Sequence, residues 1–232
     1  MLSPTGERRP RPRMETLADL IFGLSLSIGS IALIANSPAN APEINSHILA
    51  FVFSFLILIT GWMIYTTQMS VLPLESKTGT YLNVALLLLV ALVPYLLNNV
   101  ELANASLTPA ASSSLRDYAS TLFAIDLAGV QIILALFAHV ISIEEKKLVS
   151  PAVARGFRTG RNIMVVCGLL MLVSVAPVFW ELTLFGTPLR LYIWYLPLIF
   201  YWVGRALRPD ISASDLAAQE SEKAGSSQAK VP

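Results

Sequence analysis

Apolar runs of membrane-crossing length, each closed by turn residues or charge, constrain this chain more than any other feature. Six can be marked: Thr16–Ala35, His47–Thr67, Tyr81–Leu97, Ala119–Ile143, Asn162–Trp180 and Leu189–Leu207. A helix needs about 20 mostly apolar residues to cross a hydrocarbon core. Lipid offers no partner to an open backbone, so these runs are predicted to be helices. Between them lie "NSPANAPE", "VLPLESKTG", "NNVELANASLTPAASSS", "SIEEKKLVSPAVARGFRTGR" and "ELTLFGTP". The expected organisation is a basic N-terminus over 1–14, a six-helix membrane domain over 15–208 and a polar, disordered tail over 209–232. With 55% hydrophobic and 13% charged residues, the chain falls far below the roughly 25% charge of soluble domains.

Lys and Arg set the expected orientation. If the N-terminus is cytoplasmic, fourteen of the sixteen fall on that side, and only Arg116 and Arg190 fall opposite. Six spans then place both termini in the cytoplasm, and "ARGFRTGR" reads as a basic cytoplasmic loop. A net charge of +1 gives no reason to expect a nucleic-acid partner. The single cysteine, Cys167, lies in an apolar run and reads as packing, with no disulfide or CxxC site. Neither HExxH, GxSxG nor a phosphate loop occurs in a suitable context. The reading is therefore not an enzyme, with no cofactor and no metal site.

The first run carries a cost at its start. Asp19 sits one turn inside "RMETLADLIFGLSLSIG", where a carboxylate needs a partner. At about 100° per residue, Leu20, Leu24, Ile28, Ile31 and Ala35 form one stripe, with Ser27 at its edge. Asp19, Gly23, Leu26 and Ser30 form a second, whose small residues suit a closely packed neighbouring helix. Asp19 is expected to face protein and to pair with Arg13 or a donor on another helix. The first stripe faces lipid or protein, or it lines a pore whose dry constriction restricts ions.

The residues Arg13, Leu17, Ala18, Asp19, Phe22, Gly23 and Leu24 follow the pattern R-x-x-x-F-S-D-x-x-F-A-I. That pattern opens the first membrane helix of the transmembrane protein 175 family, the lysosomal and prokaryotic potassium channels without the usual filter. "SFLILITGW" (Ser54–Trp62) resembles the family's second helix. "YLNVALLLLVALVPYL" (Tyr81–Leu96) resembles its third, with Asn83 and Pro94 in the expected places. The likeness covers about the first 100 residues. It implies an all-α membrane protein that assembles as a homotetramer, with the first helix lining a central pore. Leu24, Ser27, Ile28 and Ile31 would form the constriction and K+ would be the permeant ion. Arg13, Asp19, Trp62 and Asn83 would form a structural network behind it. Leu17 and Ala18 replace the family's Phe and Ser, and Tyr65, Thr66 and Gln68 stand where a His usually follows the Trp. Tyr65 or Thr66 is the expected substitute donor to Asp19.

A second reading remains. Asp126, Gln131 and His139 are polar residues in the fourth run, and intramembrane ionisable groups are candidates for transport. Asp126 and His139 are 13 residues apart, about 20 Å along a helix, so they cannot pair on it. Each is expected to reach water or a neighbour at its own interface, or else to serve a proton- or ion-coupled transporter. A non-conducting membrane scaffold is the third reading. The short single-repeat chain suits a multi-pass protein of a prokaryotic plasma membrane.

Overall fold

The computed structural model describes residues 13–35, 40–72, 77–102, 109–143, 151–184 and 187–206. Five long helices carry the fold: α1 (Arg13–Ala35), α2 (Ala41–Met69), α3 (Lys77–Leu102), α4 (Pro109–Ser142) and α5 (Pro151–Ser174). Then come α6 (Val178–Glu181), the strands β1 (Thr183–Leu184) and β2 (Thr187–Pro188), α7 (Leu189–Ile193) and α8 (Leu196–Ala206). Among the described residues, α2, α3, α4 and α5 each hold a stretch long and apolar enough to cross a membrane, whereas the apolar part of α1, Thr16–Ile31, is shorter. The described residues are thus mostly helical, with four helices of spanning length among them.

Several side-chain contacts fix the register of neighbouring helices. Asp19 meets Trp62, and Gly29 approaches Phe51 and Ser54, so α1 and α2 run antiparallel. Gly129 lies against Leu89 and Arg116 bonds the carbonyl of Val100, which makes α3 and α4 antiparallel. Gly168 fits against Ala128, Gln131 and Ile132, and Arg161 reaches His139, so α4 and α5 are antiparallel as well. The glycine at 168 matters: a Cβ there would sit 3.3 Å from Ile132 and 3.5 Å from the Ala128 carbonyl oxygen. Close approach of this kind replaces the hydrophobic drive that lipid removes.

The central helix is α4, which packs most extensively on α5 and then on α3. Phe123, Leu127, Val130, Leu134 and Phe137 of α4 join Leu86, Val90 and Val93 of α3, and Phe53, Leu58 and Tyr65 of α2, in one core. Cys167 is buried and unoxidised, a packing residue. The chain divides into two compact units, Met1–Leu198 and Ile199–Pro232. The described part of the second holds an edge-on Tyr201–Trp202 pair.

Four expectations change. Helices outrun their apolar cores: α3 continues through Asn98 and Asn99, and α4 begins ten residues before Ala119. Their polar ends close backbone bonds without needing to be apolar. The basic segment "ARGFRTGR", expected as a loop, is the first part of α5. The sixth apolar run is not one helix: α7 ends at Ile193, and Tyr195 bonds back to Tyr192 in a tight turn before α8. Pro197, which has no N–H to give the Ile193 carbonyl, sits where a continuous helix would need that donor. The all-α expectation is further qualified by β1 and β2, an antiparallel pair with Thr183 opposite Pro188. The expected tail over 209–232 lies outside the described residues, as do the expected N-terminal residues before Arg13.

Candidate functional site

The two faces of α1 differ sharply. Ala18, Phe22 and Ser25 are buried, and Ile21 and Leu26 pack against the core beside them. On the opposite face Leu20, Leu24, Ile28 and Ile31 are 57%, 52%, 48% and 61% exposed. The stripe marked from periodicity is therefore the uncovered face of the helix, and it is apolar. Ser27 is exposed within it and donates its hydroxyl proton to the Gly23 carbonyl at 2.9 Å. Ser25 and Ser30 likewise bond the carbonyls four residues back. In lipid these bonds remove the hydroxyl donors at little cost to the helix.

The second stripe does not behave as expected. Gly23 has nothing within 4 Å of a Cβ position, and Asp19 and Ser30 are exposed. The packing face of α1 is instead the Ala18–Phe22–Ser25–Gly29 line, offset from the predicted one. Small and aromatic residues at spacings of three and four let α1 approach α2, and Phe22 meets Tyr65 at 5.9 Å between ring centres.

Asp19 does find a donor on another helix. The indole Nε1 of Trp62 in α2 donates to its Oδ1 at 2.9 Å. Neither expected substitute does so. Thr66 donates to the Trp62 and Met63 carbonyls, its own helix, and the Tyr65 ring packs on Phe22. The Arg13 side chain lies outside the described residues. Asn83 is fully buried on α3, but neither its Nδ2 nor its Oδ1 has a hydrogen-bond partner among the described residues. Of the four expected network members, the structure joins Asp19 and Trp62.

The fourth-helix residues do not converge. Asp126 is buried, 4% exposed, and both carboxylate oxygens lack a donor among the described residues. It therefore does not reach an interface, contrary to expectation, because α4 is the most enclosed helix of the bundle. Gln131 lies five residues on, on the side facing Gly168 of α5. His139 is exposed and accepts at Nδ1 from Arg161 Nη1 at 3.0 Å; since Arg only donates, this fixes the tautomer with the proton on Nε2. Among the described residues no cluster of three His, Cys, Asp or Glu could hold a metal.

Sequence reasoning missed the most elaborate polar site, at Arg190. This side chain is 1% exposed in α7 and reaches three elements. Its Nε donates to the Ser174 carbonyl and Nη2 to that of Val175, at 2.8 and 3.0 Å, which satisfies backbone acceptors at the end of α5. Its Nη1 meets Asp117 Oδ1 and Ser120 Oγ, each at 2.7 Å, and Thr121 Oγ1 at 3.0 Å, all on α4. The Trp180 ring lies 5.4 Å from the guanidinium carbon. One available signal was local: an arginine within an apolar run must have partners.

The bundle matches a solved structure. The crystal structure of a lysosomal potassium-selective channel TMEM175 homolog from Chamaesiphon minutus superposes with a TM-score of 0.55 and 17% sequence identity. The match covers 83% of this chain and 96% of that one. The chain has a TMEM175-like fold. No protein-family model and no curated protein sequence matches it. The structural match agrees with the resemblance carried by the motifs of the first three helices, although overall identity is only 17%.

Proposed function

We propose that the chain is a cation channel, most favourably permeated by potassium, in which four copies surround a pore lined by α1. The observation that carries this reading is the exposed apolar stripe of Leu24, Ile28 and Ile31 on a helix whose other face is packed. The TMEM175-like fold supports it, since the matched structure is that of a potassium-selective channel. In this reading both termini are cytoplasmic and Leu24, Ser27, Ile28 and Ile31 form stacked rings.

The mechanism follows from the chemistry of such rings. Apolar side chains do not replace the hydration shell of an ion, so passage depends on the width of the ring and on whether it is wet. The Ser27 hydroxyl donates its hydrogen bond to the Gly23 carbonyl; its oxygen lone pairs remain to face a cation. Asp19 and Trp62 hold the start of α1 against α2 and so position the stripe. The test is ion flux through the purified protein in liposomes: potassium should pass faster than sodium, and Leu24→Ala should change that preference or raise leak. Unchanged selectivity in Leu24→Ala would rule out the constriction.

One observation favours a second reading, an ion-coupled transporter: the buried carboxylate of Asp126 has no donor among the described residues. Saturable uptake abolished by Asp126→Asn would select it. Unitary currents that survive Asp126→Asn would exclude it.

A further inference from the structure

The uncovered side of α3 and α4 has an ordered chemistry from end to end. Tyr81 and Tyr95 of α3 are 74% and 63% exposed. Between them every exposed residue of the helix is Val, Ala or Leu. On α4, the exposed residues between Tyr118 and His139 are Ile125, Ile132 and Leu136. At 100° per residue these three and Tyr118 fall within one narrow stripe. The two helices are antiparallel, and Leu89 lies against Gly129 at the seam between them, both partly exposed. The two uncovered stripes are therefore one surface.

The dimensions of this surface are those of a bilayer. Tyr118 and His139 are 21 residues apart, about 32 Å along α4 at 1.5 Å per residue, against a hydrocarbon core of about 30 Å. His139 is exposed and meets Arg161, so charge begins where the apolar band ends. Tyr81 and Tyr95 are 14 residues apart, about 21 Å along α3. By the register of Leu89 on Gly129, each lies about a turn inside those marks. A tyrosine ring closes such a gap by reaching its hydroxyl outward along the apolar surface. Tyr is favoured at both membrane interfaces for this reason: its ring is apolar and its hydroxyl is wet. The exposed side of α1 is built differently. It mixes Asp19, Ser27 and Ser30 with its aliphatic residues, and among the described residues none of its exposed side chains is aromatic.

We propose that α3 and α4 form a lipid-facing wall of the protein, with acyl chains against Leu88, Ile125 and Ile132 and the hydroxyls of Tyr81, Tyr95 and Tyr118 among the headgroups. The occupant follows from complementarity of polarity along the surface: wet, apolar and wet again, at the spacing of a bilayer. A second copy of the chain requires no aromatic edges at that spacing, whereas lipid does. The proposal rests on the membrane reading of the helices, not on the channel reading, and the two fail separately.

The experiment is spin-label accessibility in the full chain reconstituted into phosphatidylcholine liposomes. A single cysteine is introduced in turn by Leu88→Cys, Ile132→Cys and Tyr118→Cys, and each is labelled with a nitroxide. All three positions are exposed, so the variants should fold, and each is checked for the parent's elution volume and thermal midpoint. Cys167 is buried, and the labelled parent supplies its background. Labels at 88 and 132 should be mobile and should relax more with molecular oxygen, which concentrates in hydrocarbon, than with a water-soluble nickel chelate. The ratio of oxygen to nickel accessibility should fall several-fold from position 132 to position 118. Immobile labels at 88 and 132, shielded from both agents, overturn the proposal in favour of a second copy on this face. Labels there that relax equally with both agents also overturn it, as does a ratio at 118 as high as at 132. Co-flotation of the chain with the liposomes is measured first; a chain that does not float overturns the membrane reading and the proposal together. Flux plays no part in any of these outcomes.

Discussion

Asp19 and Arg190 are both charged residues inside apolar runs, and each is resolved by a particular partner. For Asp19 the partner is the Trp62 indole. Trp62→Phe keeps an aromatic ring, though a smaller one, and removes the donor; it should cost at least about 1 kcal/mol, read as a lower thermal midpoint in detergent. Asp19→Asn retains an acceptor at Oδ1 and should lose less; equal losses would mean that the bond is idle. Arg190 is a larger stake. Replacing it with Gln leaves the carbonyls at the end of α5 short of their donor, while Asp117, 47% exposed, can turn to water; the cost should be on the order of 2 kcal/mol. Arg190→Lys should recover only part of this, because an ammonium cannot span the forked contacts to Ser174, Val175 and Ser120. Full recovery would make the site a matter of charge alone. The sequence exposes that Asp19 needs a partner but not which one, since Trp62 lies 43 residues away. Arg190 was read for its side of the membrane only. Its partner Asp117 is 73 residues away and carries no local signal.

At the scale of elements, apolar runs locate helix interiors well and helix ends poorly. The cores of α2 to α4 coincide with three marked runs, because burial in lipid and burial in protein both demand apolar side chains; the fifth run, marked to Trp180, leaves α5 at Ser174 and continues through a turn into the short α6. The ends extend into polar sequence, where hydropathy is silent and backbone bonding decides. The sixth run fails for a related reason: its residues are apolar enough for one helix, yet the chain turns at Trp194 and Tyr195. The packing face of α1 was also misplaced, because Gly23 and Ser30 are small but open, whereas Ala18 and Ser25 are small and covered. Close approach of α4 and α5 depends on Gly168. Gly168→Leu should push the helices apart and cost about 1–3 kcal/mol, while Gly156→Ala, which meets nothing, should be neutral or raise stability by up to about 1 kcal/mol. A lower midpoint for Gly156→Ala than for Gly168→Leu would contradict this assignment of faces.

At the scale of the whole molecule, a helix with one packed face and one bare apolar face is an incomplete structure until something covers or wets it. In the proposed channel four copies with α1 at the centre would provide that, and light scattering of the purified protein should then give the mass of a tetramer; a monodisperse monomer would count against it. The channel reading then concentrates on a few side chains. Periodicity places Leu24, Ile28 and Ile31 on one stripe, and the structure leaves those residues open; a lipid face and a pore wall share that periodicity, so flux separates them. The measurement that decides is potassium flux into liposomes carrying the purified chain, with sodium as the comparison and Leu24→Ala beside the parent. Fast potassium flux whose preference over sodium changes in Leu24→Ala is the predicted result. Absence of flux in both proteins, or identical selectivity in both, would contradict it.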